Sequence, residues 1–91
     1  MTDNMIWQLA DMDHPPRLWL VTETENLLIG WESLREIRAS EDFLVLQFSC
    51  EYGLVSFTSK NSMRELFEYL QMEKVRRIDG RMLNCRIINP D

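Results

Sequence analysis

Residues 27–48, "LLIGWESLREIRASEDFLVLQF", decide the fold. Trp31, Leu34 and Ile37 recur every third residue, as along one face of a helix. Ile37 and Ala39, and then Leu44, Leu46 and Phe48, recur every second residue, as along one face of a strand. A helix over 31–39 needs an apolar side chain at position 38, which is Arg38, and Ser40-Glu41-Asp42 then stops it. So short a helix is marginal. A strand over 35–40 instead places Ile37 and Ala39 on one face and Arg38 on the other. The reading that accommodates both spacings is strand, one tight turn at "WESL", strand, with Trp31 largely buried against the strand that carries Leu44 and Leu46.

The same alternation continues on both sides of this stretch. "MIWQLA" (5–10) reads as a first strand through Met5, Trp7 and Leu9. "DMDHPP" breaks regular structure, because neither Pro15 nor Pro16 can donate to a ladder. "RLWLVTET" (17–24) and "LLIGW" (27–31) are rich in strand formers and are joined by a turn at Glu25-Asn26. "FLVLQFSC" (43–50) faces the core through Leu44, Leu46, Phe48 and Cys50, and "LVSFTS" (54–59) through Val55 and Phe57, with Gly53 supplying a positive φ in the turn between them. The result is a meander of antiparallel strands.

"SMRELFEYLQMEK" (62–74) is the one helix. Ser62 and Glu65 have the spacing of a capping box. Met63, Leu66, Phe67 and Leu70 form an apolar stripe, which Tyr69 and Met72 widen. After it, Asp79-Gly80 has the chemistry of a two-residue hairpin turn. The hairpin register would mix Arg76 with Leu83 and Ile78 with Arg81, so the alternative is a simple turn from helix to final strand. That strand, 82–88, turns Leu83, Cys85 and Ile87 inward and ends at Pro90. The fold expected is α+β: an antiparallel meander sheet with one amphipathic helix near the C-terminus and a final strand, in a single domain over 1–91.

The apolar positions of "IGWESLREIRASEDFLVLQF" and "GLVSFTSKNSMRELFEYLQ" resemble those of small bacterial pleckstrin-homology-like and GRAM-like domains. Trp31, Leu34 and Ile37 fill a "φxWxxφxxφ" segment that turns the chain between strands. Phe43, Leu44, Val45, Leu46 and Phe48 fill a "DxφφφxF" strand. The resemblance covers about residues 17–72 and implies a partial barrel closed at one end by the helix. It carries no ligand site to this chain, which also has an apolar strand after the helix where such domains usually stop.

Composition narrows the function classes. With 45% apolar residues among 91, the chain has a globular composition and folds around one modest core. No apolar run approaches the ~20 residues that span a bilayer. The N-terminal stretch lacks the pattern of a signal peptide, so a cytoplasmic location is expected. Net charge is −5, unevenly spread: residues 1–73 carry −8 and residues 74–91 carry +3. An acidic body repels polyphosphate, so nucleic acid is not an expected partner.

No phosphate-binding glycine loop, H-E-x-x-H or C-x-x-C occurs. His14 is the single imidazole, flanked by Asp11 and Asp13, and reads as an exposed loop residue rather than a metal ligand. Cys50 and Cys85 read as buried thiols. The carboxylate pairs Glu23/Glu25 and Glu41/Asp42 stand in turns, where a raised pKa is not expected. No enzyme activity, cofactor or metal is therefore expected.

Two binding classes remain. One is an interaction or self-associating domain, which pairs with another protein or itself through the strand edges "RLWLVTE" or "LNCRIIN", with Trp7, Trp19 and Trp31 as interface aromatics. The other is an anion or acidic-lipid headgroup site at Arg76, Arg77 and Arg81, including contact with a membrane surface.

Overall fold

The computed structural model describes residues 6–11 and 15–89. Met5, Asp13, His14 and Pro90, which entered the readings above, lie outside the described residues. In chain order the strands are β1 (Trp7–Leu9), β2 (Arg17–Val21), β3 (Asn26–Gly30), β4 (Arg35–Ala39), β5 (Val45–Cys50), β6 (Gly53–Thr58), β7 (Val75–Asp79) and β8 (Asn84–Ile88). Helix α1 (Arg64–Gln71) stands between β6 and β7. The strands form two four-stranded sheets, ordered β1-β7-β2-β3 and β4-β5-β6-β8, and the described residues close no barrel. The fold is α+β.

One core joins the two sheets. Leu18, Leu20, Leu27, Ile29 and Ile78 of the first sheet meet Leu46, Phe48, Val55 and Phe57 of the second, together with Met63, Leu66 and Leu70. Each such side chain, once buried, contributes about 1.5–3 kcal/mol relative to exposure. Alternation accounts for the choice of residues: along β5 and β6 the core takes Leu46, Phe48, Val55 and Phe57 at every second position.

The deciding stretch folds as a strand, a turn and a strand. Trp31–Ser33 forms one 3-10 turn, closed by the Leu34 amide donating to the Trp31 carbonyl at 3.1 Å. Trp31 itself is only half-buried, because its indole N–H reaches out to the Pro15 carbonyl at 2.9 Å. β4 contains a bulge between Arg35 and Arg38, where Glu36 takes a left-handed φ of 52°. β5 starts at Val45 rather than Phe43. Phe43 has a φ of 59°, held there by its amide on Ser40, its carbonyl on the Met63 amide and its ring 5.6 Å from Phe67. It is a turn residue that ties the start of the helix to the sheet.

The helix is shorter than the expected 62–74. Its N-cap is Met63 with no side-chain cap; the Ser62 hydroxyl accepts from the Arg64 amide, so the capping box does not form. Its C-terminus is a Schellman motif. Glu73, at φ 56°, donates to Leu70, and Lys74 donates to Tyr69. Met72 falls past the last turn and is exposed rather than widening the apolar stripe.

The largest departure concerns residues 75–81, which form neither a hairpin nor a simple turn. Val75–Asp79 is β7, an inner strand that pairs antiparallel with β1 and parallel with β2. The first sheet is therefore mixed, and only the second is a pure antiparallel sheet. Between Gln8 and Leu9 the register against β7 slips from Arg77 to Val75, which leaves Arg76 as an extra residue. That bulge sets the buried residues Val75 and Ile78 three apart and erases the period of two. Gly80–Met82 then makes a 3-10 turn that carries the chain to β8 in the other sheet. Gly80 is needed there, because a Cβ would come within 2.8 Å of the Val21 carbonyl.

Candidate functional site

The three expected arginines do not converge. Arg76 is exposed on the bulge. Arg77 points to the outer face of the first sheet, where its guanidinium stacks 4.9 Å above the Trp19 ring and comes within 3.7 Å of Asp79. Arg81 grips the same carboxylate with two bonds, Nε to Oδ1 at 2.9 Å and Nη2 to Oδ2 at 2.8 Å, while its amide donates to Oδ1 at 3.0 Å. Asp79 is the only buried charged residue among those described, 5% exposed, and its side-chain bond to Arg81 holds its carboxyl below the usual range. Two of the three arginines are thus committed to a structural carboxylate that pins the 3-10 turn to β7.

The three tryptophans are half-buried. Trp7 packs against Tyr69 of the helix, with ring centroids 5.6 Å apart and planes tilted by 45°. Trp31 bonds to Pro15 as above. Trp19 donates to Asn26 at 2.9 Å and lies beside Leu28, its cross-strand neighbour, in a cleft of about 680 Å³ that Arg76 also lines.

Neither thiol is poised for chemistry. Cys50 and Cys85 are free and half-buried; burial pushes the Cys85 thiol up to about 11 and raises that of Cys50 as well.

The strand edges differ sharply in what covers them. β2, expected at an edge, is an inner strand flanked by β7 and β3. The four edge strands are β1, β3, β4 and β8. β1 is three residues long. β4 is broken by its bulge and carries Arg35, Glu36 and Arg38, all exposed, which are features that discourage pairing.

β3 is partly covered by side chains, two of them from a distant turn. The Thr22 amide donates to the Glu25 carbonyl, which fixes the alternation so that Asn26, Leu28 and Gly30 turn their main chains away from β2. Tyr52 then donates its hydroxyl to the Leu28 carbonyl at 3.3 Å, Glu51 accepts from the Gly30 amide at 3.4 Å, and Ser33 donates to the Gly30 carbonyl at 2.9 Å.

β8 has no such cover. The Ser59 amide donates to the Leu44 carbonyl, so the odd-numbered residues of β6 bond to β5 and the even-numbered ones to β8. With Ser56 opposite Arg86, the main chains of Asn84, Arg86 and Ile88 serve the ladder, and those of Cys85 and Ile87 face outward. Among the described residues nothing bonds to them. Beside this edge runs a cleft of about 400 Å³, with Leu83, Cys85 and Ile87 on one wall and the Thr22–Glu25 loop on the other. Ile88, at the end of the strand, is 54% exposed. The stretch "LNCRIIN" thus lies where the sequence placed it; Glu23 and Glu25 come to face it only through the tertiary fold, and no local signal in the sequence announces that.

No family model, curated protein or solved structure matches this chain. Among the described residues, no three His, Cys, Asp or Glu side chains are grouped to hold a metal, and no helix is long and apolar enough to cross a membrane.

Proposed function

We propose that this is a non-catalytic, cytoplasmic protein-interaction domain that accepts a strand, from another protein or from a second copy of itself, at the β8 edge. The observation that carries the reading is the pair of outward-facing main chains at Cys85 and Ile87, bordered by an open cleft. Strand addition draws its affinity from main-chain hydrogen bonds and requires no side-chain motif, in keeping with a sequence that displays none. Kinship to pleckstrin-homology-like domains belongs to the same proposal. Two sheets and one helix support it, whereas the parallel β2–β7 pair and the strand after the helix lie outside that pattern.

The competing reading, an anion or acidic-lipid headgroup at Arg76, Arg77 and Arg81, has less support because Asp79 already engages two of the three. Amide hydrogen exchange on the dilute protein tests the preferred reading. The Cys85 and Ile87 amides should exchange much faster than those of Arg86 and Ile88. Equal protection at all four positions overturns it, and salt-sensitive binding to anionic vesicles that is lost in Arg76→Glu moves the site to the basic segment.

A further inference from the structure

We infer that the strand taken up at β8 is an extended segment of another protein with lysine or arginine at alternate positions, recognised by Glu23 and Glu25 across the cleft. The inference rests on the edge reading above and adds the chemistry of the occupant. Cys85 and Ile87 lie opposite Phe57 and Val55, so their side chains point to the inner face of the sheet, toward the cleft. In antiparallel pairing, a residue bonded to the main chain of Cys85 or Ile87 puts its own side chain on that same face. Every second residue of the incoming strand therefore points into a space whose near wall is apolar (Leu83, Ile87) and whose far wall carries two carboxylates. Glu23 and Glu25 are both exposed, and neither is held in an ion pair with a described residue. A long basic side chain suits both walls, its methylene stem along Leu83 and Ile87 and its cation at the glutamates.

The residues between those positions fall on the outer face beside exposed Arg86, which favours an uncharged or acidic side chain there. A second copy of this chain fits poorly. Its own inward positions would be Cys85 and Ile87, leaving the glutamates unmatched, and the two-fold register centred on β8 sets Arg86 against Arg86.

The test uses three synthetic eight-residue peptides in which threonine alternates with lysine, glutamine or glutamate, added to the intact protein and to Glu23→Gln/Glu25→Gln. The lysine peptide should protect the Cys85 and Ile87 amides and shift the signals of residues 22–25. Its binding should weaken by about tenfold or more in the double variant and fall as salt rises. The glutamate peptide should not bind. If all three peptides protect the two amides alike, or the double variant binds the lysine peptide unchanged, the charge inference is overturned while the edge reading stands. If no peptide protects them, both fail. If the amides become protected on concentrating the protein alone, with a rise in molar mass, the occupant is a second copy and the inference is overturned.

Discussion

β3 and β8 are both five-residue strands at the margin of a four-stranded sheet, yet among the described residues side chains take up half of the outward main-chain groups of β3 and none of those of β8. Hydrophobicity does not separate them: β3 exposes Leu28 and β8 exposes Ile88 to nearly the same degree, 52% and 54%. The difference lies in what stands next to each. The β5–β6 turn projects Glu51 and Tyr52 onto the outer rim of β3, where they meet the Gly30 amide and the Leu28 carbonyl, and Ser33 takes the Gly30 carbonyl. β8 faces a cleft instead, with the short polar loop after β2 on its far wall. An edge is dangerous or useful according to whether its outward N–H and C=O groups find partners, whatever the strand's composition.

Phe57 is fully buried and lies opposite Cys85, so it anchors β8 to the core. Phe57→Ala should cost about 3–5 kcal/mol in urea unfolding. A loss under about 1 kcal/mol, far below the usual cost of such a cavity, would mean that the β6–β8 side hangs loosely and that its open edge is no fixed surface.

Next in size is the Asp79 clasp, which fixes the turn from β7 into β8. Asp79→Asn should cost about 1–3 kcal/mol at neutral pH, since a buried charge-assisted pair is lost. The pH dependence follows from the lowered carboxyl. The stabilisation is complete above the ordinary value of 3.8 and is lost as pH falls through the lower folded-state value. The stability gap between parent and variant should therefore close on acidification below 3.8. A gap that stays constant into that range would show that the carboxylate contributes nothing there.

The cover on β3 can be stripped directly. Glu51→Ala/Tyr52→Phe should lower stability by about 1 kcal/mol or less, since both bonds are partly exposed. The Gly30 amide should exchange faster in this variant, and its molar mass by light scattering should rise with concentration more steeply than the parent's. If Gly30 stays as protected as before, the side chains of that turn are not what closes the edge.

The smallest expected effect on stability is at the tip of β8. Ile88→Lys should change it by about 0.5 kcal/mol or less, because the side chain is already half in water. The added charge should nonetheless blunt strand addition, weakening peptide protection of Cys85 and Ile87. Unchanged protection would show that the tip of β8 at Ile88 takes no part in strand addition.

Elements whose signals are local can be read directly from the chain. Leu46 and Phe48, then Val55 and Phe57, alternate across a turn where Gly53 takes φ 119°, and a Cβ at that position would run into the Ile88 carbonyl. Leu66 and Leu70 mark the helix by their spacing, and the short turn at Trp31 follows from Arg38 standing where a helix needs an apolar residue. Tertiary structure decided the rest. β7 was hidden because a one-residue bulge at Arg76 shifts the phase of its buried side chains, and a bulge exists only relative to a partner strand. The interior place of β2 depends on β7 arriving beside it from more than fifty residues away. The arginines that a charge count groups together are divided by Asp79, whose pairing depends on the backbone turn at Gly80. Which edge stays open is settled by side chains 21 and 24 residues distant in the chain. Periodicity records which face of a strand is buried, whereas the fate of its edge depends on groups that only the folded chain brings alongside.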